Sequence, residues 1–137
     1  KYIGLRYEVG GRTPKGVDCW GLLRLIYQEE KQVTLPMLPG IAKCSATAIC
    51  REIRDRVKDD WEEVAEPKDL CAVGMGLGKE GPLLHVGVWA DADGGKVIHS
   101  FEGGTVVAET LRQLKTRGIR TIKFFVYGLH HRNTEPV

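Results

Sequence analysis

The sequence lacks the features that mark several classes of protein. No run of apolar residues approaches the roughly twenty needed to cross a bilayer as a helix, no stretch resembles a signal peptide, and no internal repeat or low-complexity segment is present. The formal net charge is only +2, which is too small to indicate nucleic-acid binding by itself. We therefore expect neither a membrane nor a nucleic acid as partner.

Two local patterns resemble binding sites without meeting their requirements. The stretch Gly76-Leu77-Gly78-Lys79 looks like a fragment of a phosphate loop, but the order and spacing of its residues are wrong for one. Four basic residues cluster late in the chain: Lys115, Arg117, Arg120 and Lys123. Because acidic residues are plentiful elsewhere, this cluster is interpreted as a solvated face rather than a nucleic-acid site.

The cysteines do not have the close pairing typical of a zinc site. They are Cys19, Cys44, Cys50 and Cys71. A chain of 137 residues is long enough to bury a hydrophobic core without metal or disulfide cross-links. We therefore predict one domain over residues 1–137, with reduced cysteines of which one is functionally special.

The special thiol is predicted to be Cys19, which follows an aspartate that can cap a helix. Apolar residues continue from it at helical spacing, namely Leu22, Leu23, Ile26 and Tyr27. The thiol would lie in the first turn, where unpaired N–H groups and the helix dipole stabilise a thiolate. The alternative is that Cys19 is an ordinary buried cysteine.

The rest of the pattern mixes helices and strands, which predicts an α+β fold. Helices are expected over 18–32, from Ser45 to about Val57 with Cys50 on its apolar face, and over 110–116. Strands are expected over 61–64, 70–73 with Cys71 filling space, 84–89, 97–101, 105–107 and 119–127. Residues 74–82 hold four glycines and predict a mobile loop.

Two histidines are predicted to share one face of a hairpin. The strands that carry His85 and His99 are separated by Asp91-Ala92-Asp93-Gly94-Gly95, whose composition is typical of a hairpin loop. A register centred near Ala92 would set His85 directly opposite His99, with the backbones about 5 Å apart. The two imidazoles would then lie side by side.

These residues together indicate nucleophilic catalysis. A thiol becomes a competent nucleophile when a base takes its proton and a third group fixes the orientation of that base. We assign Cys19 as nucleophile, His85 as general base and His99 as the orienting group. The Cys19 N–H and the Tyr7 hydroxyl would face the developing oxyanion, although Tyr7 could equally be a half-buried aromatic with its hydroxyl in water.

A metal site is the competing interpretation of the same residues. Cys19, His85 and His99 could form a three-ligand zinc site with an open position. The sequence offers no fourth ligand and no obvious carboxylate to support the ligands, so we predict no metal and no other cofactor.

Four stretches, taken in order, resemble the NlpC-type cell-wall peptidases, a papain-like cysteine peptidase family. They are Arg6-Tyr7-Glu8-Val9-Gly10-Gly11-Arg12-Thr13-Pro14, Gly16-Val17-Asp18-Cys19-Trp20-Gly21-Leu22, His85-Val86-Gly87-Val88-Trp89 and Val97-Ile98-His99-Ser100. The resemblance covers nearly the whole chain.

The resemblance implies both a fold and a reaction. The fold is an antiparallel sheet of about five strands packed against an N-terminal nucleophile helix and a second helix. The reaction is cleavage of peptidoglycan stem peptides, commonly at the D-γ-glutamyl link to the diamino acid. Cys19, His85 and His99 would be catalytic, with Tyr7 and Asp18 at the oxyanion or substrate-binding site.

Two further features resemble the branch found in tailed phages and prophages. Trp20 stands where many relatives have serine, and Phe101-Glu102-Gly103-Gly104-Thr105-Val106-Val107 follows the second histidine. This branch implies tail-tip proteins as partners and a location in the virion tail, or in the host cytoplasm during assembly, with action in the cell wall. The alternatives are a tail assembly component with a vestigial site, and amidase or acyltransferase chemistry on another substrate.

Overall fold

The computed structural model describes residues 2–8, 11–35, 61–78, 83, 85–100 and 104–127. The strands are β1 (Arg12–Thr13), β2 (Gly16–Val17), β3 (Trp61–Val64), β4 (Ala72–Gly76), β5 (His85–Ala90), β6 (Lys96–His99), β7 (Val107–Glu109) and β8 (Thr121–Tyr127). The helices are α1 (Cys19–Lys31) and α2 (Leu111–Thr116), and a 3-10 turn spans Ala92–Gly94. The predicted helix from Ser45, with Cys44 and Cys50, lies outside the described residues.

Six of the strands form one antiparallel sheet in the order β3-β8-β4-β5-β6-β7, and β1 pairs with β2 in a separate ribbon. The α+β class and the antiparallel sheet are therefore confirmed, with six strands where about five were expected. Strand β8 comes last in this series but lies between β3 and β4. The strand that follows α2 therefore connects β3 to the rest of the sheet.

Helix α1 begins and ends for local reasons that its residues supply. The Oδ1 atom of Asp18 accepts the Gly21 N–H at 2.7 Å, which makes Asp18 the N-cap. At the other end Gln32 adopts a left-handed conformation with φ of 53°, and its N–H donates to the Tyr27 carbonyl. The prediction of a helix over 18–32 is confirmed.

The first turn of α1 lies against the preceding loop more closely than a side chain would allow. A Cβ atom on Gly21 would collide with the carbonyl oxygen of Gly11. The same carbonyl accepts the Asp18 N–H at 3.1 Å. Glycine at position 21 therefore lets the loop at Gly11 hold the backbone just before the helix.

The two faces of the sheet contact different helices. On one face Val86, Val88 and Phe125 join the core around α1, in which Tyr27 is the largest fully buried side chain. On the other face Val73, Met75, Trp89 and Val97 pack with Leu114 of α2. Alternation along β5 and β6 places His85 and His99 on this second face.

Helix α2 is short but closed by a complete capping box. The Thr110 side chain accepts the Gln113 N–H, and the Gln113 side chain accepts the Thr110 N–H at 2.8 Å. The predicted helix over 110–116 is confirmed. Neither α1 nor α2, the helices of the described ranges, is long and apolar enough to cross a membrane.

The entry segment, residues 2–8, ties the start of the chain to the site. Tyr7 forms a parallel bridge with Val17, and Arg6 forms an antiparallel bridge with Thr105. Glu8 donates its N–H to the Val17 carbonyl at 3.1 Å. Backbone hydrogen bonds therefore hold this segment beside the residue that immediately precedes Asp18.

Candidate active site

Cys19 is the first residue of α1, as the sequence predicts, and its exposed fraction is 5%. Asp18 beside it is only 2% exposed, and its carboxylate caps the helix. Cys19 and Cys71 are both buried, and neither forms a disulfide. Burial raises the pKa of the Cys71 thiol, which suits the space-filling role predicted for it.

The imidazoles of His85 and His99 contact each other directly. Nε2 of His85 lies 3.0 Å from Nδ1 of His99, and the rings meet edge to face at 75° with centroids 5.2 Å apart. The prediction that the two rings share one face of the hairpin is confirmed. One imidazole can therefore orient the other through a single hydrogen bond.

The predicted register of this hairpin is wrong by two residues. Val88 pairs with Ile98 and Trp89 with Val97, which sets His99 opposite Gly87 rather than His85. The loop turns around Asp93, because a 3-10 turn at Ala92–Gly94 is followed by Gly95 with φ of 96°. The shift is an even number of residues, so the histidines stay on one face and meet diagonally.

Gly87 lies opposite His99, where a side chain would crowd β6. A Cβ atom there would lie 2.8 Å from the Ile98 carbonyl oxygen and 3.0 Å from the His99 Cβ. The first separation is shorter than real Cβ contacts and the second is tighter than most of them, so another residue fits only if β6 moves. The glycine therefore avoids crowding against the His99 side chain.

Both imidazoles are held in the neutral state. Burial, together with neighbouring His99, lowers the pKa of His85 to about 3. Burial also lowers the pKa of His99, although Glu109 acts in the opposite direction. A neutral His85 is in the protonation state that a general base requires.

Glu109 and Arg117 extend this pair, and the sequence analysis missed both. Nε2 of His99 lies 2.8 Å from Oε1 of Glu109, and Arg117 donates from Nε to the same oxygen at 2.6 Å. The predicted strand over 105–107 is wrong, because β7 spans Val107–Glu109. Arg117 belongs to this network and is also 42% exposed, so it lies on the solvated face predicted for the late basic cluster while it contacts Glu109.

The network also resists protonation of its carboxylate. Burial raises the pKa of Glu109, but hydrogen bonds from Arg117 and His99 outweigh that effect and leave the pKa below its usual value. Glu109 is therefore ionised near neutral pH, when it accepts from both neighbours.

A hydrogen bond links the segment just before α1 to the end of the sheet that carries the histidines. Ser100 directly follows His99, and its hydroxyl donates to the Val17 carbonyl at 3.1 Å in a fully buried contact. Helix α1 packs on the face that carries Val86, whereas the rings project from the other face at the end where β5 begins. The approach of the Cys19 thiol to His85 stays a prediction.

Tyr7 lies in the entry segment, one backbone bridge away from Val17. Its side chain is half-buried. This position is next to the residues that lead into Cys19, and the assignment of its hydroxyl to the oxyanion site stays a prediction. The same holds for a substrate-binding role of Asp18.

A cavity of about 320 Å³ lies beside the imidazoles on the α2 side of the sheet. Its walls include His85, His99 and Arg117 together with apolar Met75, Leu77 and Ile119. Within the described ranges, no cluster of three or more His, Cys, Asp or Glu residues has the geometry of a metal site. Among the described lining residues, the polar side chains are two neutral imidazoles and one guanidinium.

Comparison with known proteins gives the fold and the family. The crystal structure of the NlpC/p60 domain of the peptidoglycan hydrolase SagA matches with a TM-score of 0.57 and 19% identity, over 90% of this chain and 88% of that chain. No curated protein sequence matches the chain significantly. The NlpC/P60 family model matches residues 4–119. Because that match spans most of the sequence, this chain belongs to the NlpC/P60 family, and its enzyme class is that of the cysteine-type hydrolases.

Proposed function

We propose that this chain, as a single domain over residues 1–137, hydrolyses an amide bond in the stem peptides of peptidoglycan. Cys19 is the nucleophile, His85 the general base and His99 the group that orients it. The observation that carries the proposal is the 3.0 Å contact between the His85 and His99 rings. At the same end of the sheet, the Ser100 hydroxyl donates a hydrogen bond to the Val17 carbonyl, just before α1. Family membership supports the reaction class.

The proposed reaction has two balanced steps. In the first, the Cys19 sulfur attacks the carbonyl carbon while its proton passes to His85, and the resulting imidazolium gives a proton to the leaving amine. In the second, water attacks the thioester carbonyl carbon while His85 takes a proton from the water, the C–S bond breaks to release the carboxylic acid, and the imidazolium returns its proton to the Cys19 sulfur. The Cys19 N–H, and the Tyr7 hydroxyl, stabilise the oxyanion in both steps.

The substrate class is supported by likeness to a relative and by motif. The domain of similar fold comes from a peptidoglycan hydrolase, and the resemblance to NlpC-type enzymes favours the D-γ-glutamyl link to the diamino acid. We propose this link as the bond that is cleaved. No cofactor takes part in the reaction as proposed.

The test is digestion of purified peptidoglycan followed by mass spectrometry of the released muropeptides. We expect Cys19→Ala to lower the release of stem peptides by about a thousandfold or more. The matched control is Cys71→Ala, which removes the other described buried thiol and should retain activity. Equal release by wild type and Cys19→Ala would overturn the proposal.

The proposed setting is a phage or prophage tail, with tail-tip proteins as partners. It is supported by the Asp18-Cys19-Trp20-Gly21-Leu22 motif and by the stretch over 101–107. In this setting the chain is present in the host cytoplasm during assembly, then in the virion tail, and it acts in the cell wall. Purified tail particles that lack the chain by mass spectrometry would reject the setting but not the hydrolase.

A further inference from the structure

We propose that Glu109, held in place by Arg117, is a positioning residue that sets the tautomers of both His99 and His85. The inference rests on the proposed function for its catalytic consequence, but not for its structural content. Four side chains form one continuous series of contacts, at 3.0 Å, 2.8 Å and 2.6 Å from His85 to Arg117.

The direction of each hydrogen bond follows from the carboxylate. An ionised Glu109 can only accept, so Nε2 of His99 must carry a proton and donate it to Oε1. A neutral imidazole has one N–H, so Nδ1 of His99 is an acceptor. The nitrogen that faces it, Nε2 of His85, must then be the donor.

The consequence falls on Nδ1 of His85, the ring nitrogen that does not face His99. Because Nε2 of His85 carries the ring proton, Nδ1 of His85 has an unprotonated lone pair and can take a proton from a thiol. In the opposite tautomer Nδ1 of His85 would carry the proton, and that nitrogen could not act as a base. Glu109 thus acts on His85 indirectly, through His99.

Two neighbouring elements, β7 and α2, place Glu109 and its partner Arg117. Glu109 is paired with Val97, one diagonal step from His99 on the same face. Helix α2 starts directly after it with the Thr110 capping box, and Arg117 at its C-cap comes back to the same carboxylate oxygen. Both partners of Glu109 are thus placed by backbone structure.

Burial makes the arrangement specific. His99 is 1% exposed and Glu109 is 9% exposed, so water does not readily replace the hydrogen bond between these two side chains. A buried carboxylate without a partner would be strongly unfavourable, and Arg117 supplies the compensating charge. Arg117 therefore keeps Glu109 ionised and aimed at His99.

The experiment measures the tautomers directly, by long-range ¹H–¹⁵N NMR spectra of the imidazoles in Glu109→Ala, Glu109→Asp and wild type. We expect wild type to show the Nε2–H form for both rings, and Glu109→Ala to lose that single form. We expect Glu109→Asp to restore it in part. Unchanged tautomers in Glu109→Ala would overturn the inference.

A control separates positioning from folding. Tyr27→Phe removes a buried hydrogen bond to the Leu70 carbonyl away from Glu109, so it should lower the melting temperature and leave the tautomers as in wild type. In the hydrolysis assay Glu109→Ala should lower kcat by about 10-fold or more, with KM little changed. An unchanged kcat together with altered tautomers would overturn the catalytic part alone.

Failure of the proposed function gives a different result. If Cys19→Ala hydrolyses peptidoglycan as wild type does, the hydrolase proposal fails while the tautomer result stands.

Arg117→Met provides a second test of the role of Glu109, since it removes the positive charge and the hydrogen-bond donor that contact the Glu109 carboxylate. It should shift the tautomers in the same direction as Glu109→Ala, and Arg117→Lys should shift them less.

Discussion

Nε2 of His85 lies 3.0 Å from Nδ1 of His99, although the two residues are not cross-strand partners. Gly87 is the residue opposite His99, as the pairing of Val88 with Ile98 requires. A Cβ at that point would lie 3.0 Å from the Cβ of His99, so a larger residue would crowd the His99 side chain. The placement of the His99 ring therefore depends on a third residue that has no side chain.

Gly87→Ala should disrupt this contact and destabilise the fold. The new Cβ would lie 2.8 Å from the Ile98 carbonyl oxygen, so β5 and β6 must separate locally, at a cost of about 1–3 kcal/mol. Urea unfolding measures the stability, and the imidazole NMR spectra measure the contact. The control is Gly94→Ala, whose Cβ meets nothing within 4 Å. Its cost comes only from the positive φ, and it should leave the histidine spectra unchanged.

Gly21→Ala should destabilise the protein despite improving helix propensity. In an exposed helix interior this change stabilises by about 1 kcal/mol. Here the new Cβ would strike the Gly11 carbonyl oxygen, which also accepts the Asp18 N–H. The sign of the change in unfolding free energy is the test. A stabilised variant would show that the loop at Gly11 moves aside without cost.

Ser100→Ala should lower activity more than its effect on stability suggests. It removes one buried hydrogen bond, the donation from Ser100 to the Val17 carbonyl, at about 1 kcal/mol. That bond links the residue after β6 to the segment just before α1. The matched control is Tyr27→Phe, which removes a 2.6 Å hydrogen bond to the Leu70 carbonyl away from the histidines. Equal activity in the two variants at similar stability would contradict the prediction.

The stability of the fold should fall as the pH drops below about 6.5. His85 has a pKa of about 3 in the folded state against 6.5 for an ordinary histidine, so the unfolded chain binds more protons in this window. Each pH unit then costs up to about 1.4 kcal/mol for this residue. His99, whose pKa is also lowered, acts in the same direction.

Chemical denaturation at about pH 7.5 and at about pH 5 measures this dependence. These values lie about one unit or more above and below the ordinary histidine pKa of about 6.5. His85→Gln removes one of the two groups, so the loss of stability between these pH values should be smaller than in wild type. Glu109 has a lowered pKa, and its stabilisation is lost only under more acidic conditions. An equal loss in the variant would show that His85 is accessible to protons in the folded state.

Much of the local structure could be predicted because short-range chemistry determines it. The Asp18 cap and the apolar spacing behind it define α1, and Thr110 with Gln113 defines α2. The loop over 91–95 was predicted from its aspartates and glycines, but its centre was not, because the 3-10 turn and the positive φ of Gly95 shift the register. The period of two along a strand kept both histidines on one face despite that error.

The sequence by itself determined where α1 starts and that His85 and His99 share one face of a hairpin, since helix caps and strand alternation act over a few residues. Only the tertiary structure decided that Glu109 contacts His99 and that Arg117 comes back to Glu109. These contacts depend on the pairing of β6 with β7 and on how α2 packs. Such long-range pairings are set by burial and register across the whole sheet, which no local pattern contains.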